Sequence, residues 1–249
     1  MLAALGQTAW ARQPNAAHKS APPHPVLLEL FTSQGCSDCP AADQLVTELA
    51  NRGDVIAVSL PITYWDILGW KDTFATEANT RRQKSYATTM NRSGVYTPQM
   101  IIDGRIDVVG NQRDRVMQAL TARANAVASE SPVPILLRRI SNRIEIAIPK
   151  TKSAQNKAAT IWVMRTLDQG SVKIGDGENR NRQLTYTNVV RDLQRAGEWT
   201  GQAMKIDIPV SLAKLKYDGV VVILQAQDYG PVLGAAALRT SDIVTSGKP

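Results

Sequence analysis

The sequence predicts an α/β domain followed by a mainly antiparallel β domain with a sandwich-like arrangement. Two short apolar runs, at 26–31 and 55–60, flank a segment of helical spacing, which is typical of a parallel strand-helix-strand unit. Further along, the run RIEIAI at 143–148 alternates strictly, and no helix-length apolar period follows it. The prolines at 131–134 separate the two patterns. The predicted division is a signal remnant and tether, an α/β domain and a C-terminal β domain, at 1–25, 26–130 and 131–249.

The elements of the first domain follow in order from their local patterns. VLLELF predicts the first strand, and the segment after Pro40 predicts a helix with Ala42, Leu45, Val46 and Leu49 on one face. VIAVSL predicts a second strand, and 73–90 is a polar, helix-compatible segment. TPQMIIDGRIDVVG predicts a hairpin that turns at Asp103-Gly104, because Asp-Gly is a strong turn signal. A helix over 111–128 completes the unit.

The second domain is predicted from strand-like runs at irregular intervals. After RIEIAI these are ATIWVMRTL, LTYTNVV, MKIDIPV and GVVVILQAQ. Runs of this kind favour a small antiparallel β domain, and we expect a sandwich.

Composition excludes several classes of protein. The 249 residues are 43% hydrophobic, which is enough to build a packed core. The formal net charge is +7, but Lys and Arg are scattered among acids and do not interleave with aromatics. This pattern argues against a nucleic-acid partner. No stretch approaches the roughly 20 apolar residues that span a bilayer, so we expect no transmembrane segment.

The N-terminus carries a partial export signature. MLAALGQTAWA closes on Ala9-Trp10-Ala11, an A-x-A cleavage pattern, but it lacks a basic region. We expect a periplasmic or secreted protein whose signal is incomplete, and the alternative is an ordinary ragged terminus. The proline-rich segment that follows holds both histidines, His18 and His24, and predicts a tether.

The chain has two cysteines, and both lie in FTSQGCSDCPAAD between the first strand and the first helix. Cys36 and Cys39 are spaced to form a disulfide at the helix start, with Cys36 near the exposed tip. Unpaired N–H groups at a helix N-terminus lower a cysteine pKa from about 8.5 to between about 3.5 and 7.5. The carboxylate of Asp38 disfavours a thiolate at Cys36, but at a separation of about 6 Å in water the repulsion costs only about 0.7 kcal/mol. We therefore predict that Cys36 is the nucleophile and Cys39 the resolving thiol.

Three other interpretations of the cysteine pair stay open. A structural zinc site needs four ligands, and a copper site would need a histidine from the tether to fold back. An inert structural disulfide is the more serious alternative. We expect no metal and no cofactor.

Thr97-Pro98, in the stretch YTPQ, enters the third predicted strand. Thioredoxin-like domains carry a cis-proline at such a position, facing the cysteines. We expect Pro98 to be cis and Thr97 to offer backbone hydrogen bonds to an extended substrate. A trans proline at the first position of a strand is the alternative.

Five segments together resemble the secreted thioredoxin-like family catalogued as domain of unknown function 1223. They are ELFTSQGCSDCPAAD, WDILGWKDTFATEANTRRQKSYA, VYTPQMIIDG, GENRNRQLTYTNVV and GPVLGAA. The resemblance runs from about Val26 to Leu238 and implies a thioredoxin-like domain, a family-specific β domain and an export signal. It implies no particular substrate. Asp38 and Ala41 stand where Ser and Pro are expected, which leaves the redox potential open.

Further candidates surround the cysteines in the sequence. Glu29 lies near where thioredoxins carry a buried acid that takes the proton of the resolving thiol, and the alternative is a strand-edge acid facing water. Past the second strand, four residues could wall a cleft above Cys36: Trp65, Asp66, Trp70 and Asp72. Packing in the core or in a lid is the alternative for the two tryptophans. The candidate substrate-binding residues are Trp65, Asp66, Trp70 and Tyr96. The GEN stretch at 177–179 suits a tight turn and receives no chemical role.

These observations predict an exported thiol-disulfide oxidoreductase that acts on protein or small-thiol substrates or on a redox partner protein. The alternative belongs to another class: an envelope binding module in which the thioredoxin-like half is a scaffold and the disulfide is static.

Overall fold

A computed structural model describes residues 24–151, 158–210 and 217–239. The predicted signal remnant and all of the tether except His24 and Pro25 lie outside the described residues.

Helices and strands alternate in the first part of the chain, and strands alone form the second part. The elements are β1 (Val26–Thr32), α1 (Cys39–Ala50), β2 (Val55–Pro61), a 3-10 turn (Asp66–Leu68), α2 (Glu77–Thr89), β3 (Gln99–Ile102), β4 (Ile106–Val109), α3 (Arg113–Glu130), β5 (Leu136–Ile140), β6 (Arg143–Ile148), β7 (Ala159–Lys173), β8 (Gln183–Trp199), β9 (Met204–Pro209), β10 (Gly219–Ala226) and β11 (Val232–Arg239). None of the helices within the described ranges is long and apolar enough to cross a bilayer.

The strands form a mixed α/β architecture with one large, mainly antiparallel sheet and a second, smaller sheet. The large sheet has the order β11-β10-β7-β8-β2-β1-β3-β4, and the small sheet has the order β5-β6-β9. The parallel pairing of β1 with β2 is confirmed. The strands β7, β8, β10 and β11 follow the predicted boundary at 131–134, yet they join the same sheet as β1–β4 through the β2–β8 pair. The predicted division into 26–130 and 131–249 therefore runs through a continuous sheet and stays a prediction.

Strand β1 is buried along its whole length because both faces of the sheet are covered. Leu28 and Leu30 pack with α1 and α3, whereas Leu27 and Phe31 belong to a cluster on the opposite face. Since successive side chains alternate between faces, Thr32 lies on the α1 side and Glu29 on the other. This alternation decides which polar groups of β1 reach the cysteines.

The predicted alternation of β6 is confirmed. Ile144, Ile146 and Ile148 are at most 2% exposed. They belong to a cluster that also contains Ile161 of β7 and Val222 of β10. The small sheet therefore packs its apolar face against the C-terminal strands of the large sheet.

The β3–β4 hairpin turns at Asp103-Gly104, as predicted. Both residues have positive φ, 49° and 63°, which is the conformation that a two-residue hairpin turn favours. The side chain of Asp103 accepts hydrogen bonds from Leu27 N (2.8 Å) and from Arg123 Nε (3.1 Å). The turn is thereby tied to the start of β1 and to α3.

Replacing Gly104 by alanine is expected to lower the free energy of unfolding by about 1–3 kcal/mol, because a side chain in left-handed backbone is strained. The added Cβ would also lie 2.6 Å from the carbonyl oxygen of Gly230. Urea unfolding measures the change. The control is Gly94→Ala, since a Cβ at Gly94 meets nothing within 4 Å; equal effects of the two substitutions would contradict this explanation.

Candidate functional site

The two cysteines form a disulfide at the beginning of α1, with their Cα atoms 5.4 Å apart. Helix α1 begins at Cys39, and Pro40 occupies its first turn, where the missing N–H has no intrahelical partner to lose. The expected exposure of Cys36 is wrong: Cys36 is 1% exposed and Cys39 0%. The exposed part of the loop is instead the pair between them, Ser37 and Asp38.

Gln34 connects the cysteine loop to the segment between β2 and α2. Its backbone N–H donates to Asp72 Oδ2 at 2.8 Å, and its side-chain oxygen accepts a hydrogen bond from Trp70 Nε1 at 2.8 Å. Burial raises the pKa of Asp72 even though three backbone N–H groups donate to its carboxylate. Asp66 accepts a hydrogen bond from Asp72 N (3.0 Å) and so organises the same segment. Asp72 and Trp70 therefore hold the cysteine loop through Gln34, and Asp66 holds Asp72. These polar groups are engaged within the protein.

Trp65 and the Thr97-Pro98 dipeptide lie beside the cysteine loop. The Thr97-Pro98 peptide bond is cis, as predicted. Trp65 Nε1 donates to Thr97 Oγ1 at 2.7 Å, and a Cβ placed on Gly35 would lie 3.4 Å from Trp65 Cβ. The indole thus bridges the segment before Cys36 and the segment before β3.

Pro98 also packs close to α1. A Cβ on Gly110 would lie 3.2 Å from both Ala42 Cβ and Pro98 Cβ, so this glycine permits the close approach. The structure therefore brings Cys36, Cys39, Trp65, Thr97 and Pro98 into one region.

Tyr96 is directed towards β4. Its hydroxyl donates to Asp107 Oδ1 at 2.5 Å, and its backbone oxygen accepts a hydrogen bond from Gln83 Nε2 at 2.7 Å. Burial raises the pKa of Tyr96, and the hydrogen bond to Asp107 adds to the increase. The phenol is therefore engaged with Asp107.

Glu29 lies on the face of β1 that is turned away from α1, and the structure does not bring it to Cys39. Its carboxylate accepts hydrogen bonds from Arg82 Nε (2.5 Å) and from the Tyr86 hydroxyl (2.6 Å). Burial alone would lower the pKa of Arg82, but the charge of Glu29 raises it overall. Glu29 is thus half of a buried ion pair, and neither the expected contact with Cys39 nor the alternative of an acid facing water is observed.

Asp43 is a buried acid of α1, on the side of β1 that this helix covers, and the sequence patterns did not single it out. It lies one helical turn after Cys39, a spacing that puts Cβ atoms about 5–6 Å apart. Asp43 Oδ1 accepts a hydrogen bond from Thr32 Oγ1 at 2.8 Å, while Oδ2 has no hydrogen-bond partner among the described residues. Burial raises the pKa of Asp43 well above its usual range, against the opposing effect of the Thr32 hydroxyl. The signal that could have found it is the i, i+4 spacing from Cys39.

Tyr186 of β8 extends this group of buried polar side chains. Its hydroxyl has no hydrogen-bond partner within the described ranges. Burial raises the pKa of Tyr186, and the charges of Asp43 and Asp72 add to the increase. A strand from the second half of the chain therefore contributes to the surroundings of Asp43.

The tip of the β7–β8 hairpin, residues 177–182, packs on the cysteine loop. Asn179 is fully buried, and its Nδ2 donates to the backbone oxygens of Gln34 (3.0 Å) and Cys36 (2.8 Å). Arg182 Nη1 donates to Asn179 Oδ1 at 2.8 Å. Glu178 Oε2 accepts a hydrogen bond from the backbone N–H of Ser37 at 2.9 Å. Two residues of the GEN stretch, which received no chemical role from the sequence, thus contact the disulfide loop.

Metal ligands are not grouped in the part of the chain that the structure describes. No three side chains of the His, Cys, Asp and Glu types lie together there in a way that could hold a metal ion.

Comparisons with other proteins identify relatives by sequence and by structure. The model of a family described as "Protein of unknown function (DUF1223)" matches residues 27–225. A protein from Agrobacterium tumefaciens, solved by X-ray crystallography, is 31% identical with a TM-score of 0.74; the match covers 90% of this chain and 97% of that one. HBP35 of Porphyromonas gingivalis is similar in fold, at 11% identity and a TM-score of 0.53, over 91% of this chain and 80% of the other. Comparison with the curated proteins gave no match.

Proposed function

The chain belongs to this family of unknown function, DUF1223, and we propose that it is an exported thiol-disulfide oxidoreductase built on a thioredoxin-like first half. The observation that carries the proposal is a disulfide at the N-terminus of α1 with a buried acid, Asp43, one turn further along the same helix. A disulfide persists most readily in an oxidising compartment, which supports the proposed periplasmic or secreted location.

The carboxyl of Asp43 is suited to hold a proton next to the resolving cysteine. An ionised carboxylate with one unpartnered oxygen is costly in a buried site, so the neutral acid is favoured. In this state Oδ1 keeps the hydrogen bond from Thr32 and Oδ2 carries the proton. Asp43 thus takes over the role that the sequence led us to expect of Glu29.

The reaction is an exchange of one disulfide for another. A substrate thiolate attacks the sulfur of Cys36, the Cys36–Cys39 bond breaks, and Cys39 leaves as a thiolate. Asp43 gives its proton to that thiolate, which leaves Cys39 as a thiol and Asp43 as a carboxylate. The second thiolate of the substrate then attacks the substrate sulfur of the mixed disulfide. This closes the substrate disulfide and releases Cys36 as a thiolate. The substrate dithiol has lost two electrons to the cysteine pair, and the reverse sequence reduces a substrate disulfide.

Trp65, Thr97 and the exposed side of the loop form the site at which the substrate is placed. Thr97 offers backbone groups to an extended segment, and Trp65 is tied to its hydroxyl. Two residues after Trp65 in the chain, Ile67 is 86% exposed and offers an apolar side chain to solvent. The substrate class that fits is a protein segment with a cysteine, and no cofactor is needed because the cysteines carry the electrons.

A Cys39→Ala variant tests the proposal directly. Without the resolving thiol, Cys36 is expected to retain glutathione as a mixed disulfide after treatment with oxidised glutathione. Intact mass spectrometry detects this as the addition of one glutathione that dithiothreitol removes. Cys36→Ala is the matched control and is expected to retain less glutathione, because the proposed reaction forms the mixed disulfide at Cys36 and uses Cys39 only to release it. If Cys39→Ala traps nothing, and wild type neither reduces nor oxidises a model dithiol peptide, the enzyme proposal is wrong.

A second candidate function, a binding module with a permanently closed disulfide, is favoured by the 1% exposure of Cys36. Redox titration separates the two functions. A reduction potential below about −300 mV favours a static bond, and a higher value indicates a labile pair.

A further inference from the structure

The tip of the β7–β8 hairpin holds the disulfide loop on both sides of Cys36. On one side Asn179 bridges the carbonyl oxygens of Gln34 and Cys36, and on the other Glu178 binds the N–H of Ser37. Trp70 supports the hairpin from beneath, because a Cβ on Gly175 would lie 2.7 Å from its ring. These contacts join residues about 140 positions apart in the chain, so a segment of the second half anchors the cysteine loop.

The hydrogen bonds of Asn179 bear on access to the reacting sulfur. Attack on a disulfide requires the incoming thiolate to reach the sulfur, and Cys36 is 1% exposed in the closed loop. Asn179 is itself fully buried, and Arg182 orients its amide. Any movement of the loop that exposes the Cys36 sulfur at this point has to stretch or break these two hydrogen bonds.

The carboxylate of Glu178 bears on the stability of the Cys36 thiolate. A helix N-terminus favours a nearby negative charge, and this stabilises the reduced, thiolate form of a cysteine pair. Glu178 already places a negative charge there, on the N–H next to Cys36 in the chain. Hydrogen bonds from Ser37 lower the pKa of Glu178, so its charge is present at neutral pH. The charge repels a thiolate at Cys36 and disfavours the reduced form.

We propose that Glu178 and Asn179 are positioning residues that keep the Cys36–Cys39 loop closed and make the pair more strongly reducing than its place at a helix N-terminus alone would. The inference rests on the proposed exchange at Cys36. The tip of the β7–β8 hairpin, in the second half of the chain, would then control how readily a thiol reaches Cys36. It would also lower the reduction potential of the Cys36–Cys39 pair in the first half.

Glu178→Gln separates the charge of Glu178 from its hydrogen bond, because the amide oxygen of glutamine still accepts from Ser37 N. A carboxylate at about 6 Å in water changes a pKa by about 0.5, or about threefold in thiolate fraction. We therefore expect the pKa of Cys36 in the reduced protein to fall by at least about 0.5, measured by thiolate absorbance. At a pH above the pKa of Cys36, the equilibrium constant for reduction by glutathione, which supplies two electrons and becomes oxidised glutathione, is expected to rise about threefold. The control is Glu198→Gln, another exposed carboxylate of the same hairpin, paired with Arg195.

Asn179→Ala tests the closure of the loop. Loss of two hydrogen bonds is expected to speed the attack of reduced glutathione on the disulfide about tenfold or more. Glu178→Ala removes both the charge and the contact with Ser37. It is expected to lower the pKa of Cys36, as Glu178→Gln does, and to speed the attack of glutathione, as Asn179→Ala does. If the pKa of Cys36 is unchanged in both Glu178 variants and no variant exchanges faster, the inference is wrong.

The inference and the proposed function fail in different ways. If the disulfide of the folded wild type does not exchange with glutathione, the oxidoreductase proposal is wrong. The pKa of Cys36 can still be titrated in protein that has been reduced by a phosphine, and the comparison of Glu178→Gln with wild type then decides the role of Glu178 by itself.

Discussion

Replacing Glu29 by glutamine is expected to lower the free energy of unfolding by about 3–5 kcal/mol, because it leaves the charge of Arg82 buried without a counter-ion. Both side chains are 0% exposed, and the pair is bidentate, with Arg82 Nη2 lying 3.0 Å from Glu29 Oε2. Arg82 also donates to Tyr86 and Gln225, and its guanidinium lies over three aromatic rings, those of Tyr86, Trp162 and Tyr229. An arginine cannot escape the penalty by losing its proton. Urea unfolding at neutral pH measures the loss.

Removing the other member of the pair, in Arg82→Leu, is expected to leave a smaller electrostatic penalty, because the remaining carboxyl of Glu29 can take up a proton and become neutral. Glu48→Gln is the matched control: Glu48 pairs with Arg113 at 2.7 Å, but the two side chains are 45% and 58% exposed. An exposed pair contributes about 0–1 kcal/mol. A Glu29→Gln variant that loses no more stability than Glu48→Gln would show that the buried pair is not essential to the core, and it would reopen other roles for Glu29.

The Glu29 pair shows where sequence patterns stop being informative. Alternation along β1 could be read from its apolar residues, but nothing local reveals which face α1 covers. The expectation that Glu29 serves Cys39 rested on the position of a buried acid in thioredoxins, whereas Glu29 pairs with Arg82 of α2. Its partner Arg82 lies in a helix whose sequence is largely polar, and its burial depends on aromatic residues of β7 and of the β10–β11 turn.

The parts of the site that could be predicted are those in which a local pattern encodes the geometry. The spacing of Cys36 and Cys39 before an apolar helical face predicts a disulfide at a helix start, and Asp103-Gly104 predicts the turn that follows β3. Glu178 and Asn179 could not be predicted, because their contacts with the cysteine loop depend on how β8 joins β2. That junction rests on one registered pair, Ser59 with Val189, which no periodicity indicates.

Replacing Asp43 by asparagine is expected to slow the exchange of the Cys36–Cys39 disulfide with dithiothreitol by about 100-fold at neutral pH. A positioned acid or base contributes about 10²–10⁴ in rate, and a buried Cys39 thiolate has no solvent nearby to supply the proton instead. Asparagine has the same shape, and its Oδ1 keeps the hydrogen bond from Thr32. The fluorescence change on reduction, followed from pH 5 to 9, gives both the rate and its pH dependence. The control is Glu48→Gln, which removes an exposed carboxylate of the same helix and is expected to leave the rate unchanged.

The same variant has a second readout that separates a proton-transfer role from a structural one. Burial raises the pKa of Asp43, so the folded protein holds this proton more tightly than the unfolded chain does. Wild-type stability therefore falls as pH rises from about 3.9, the usual value for Asp, through the raised value. Asp43→Asn has no proton to lose, so its melting temperature is expected to exceed that of wild type by an amount that grows with pH. A residue that slows the reaction when removed, yet whose removal stabilises the protein, is retained for chemistry and not for packing. If Asp43→Asn lowers the melting temperature equally at every pH and leaves the exchange rate unchanged, Asp43 is structural.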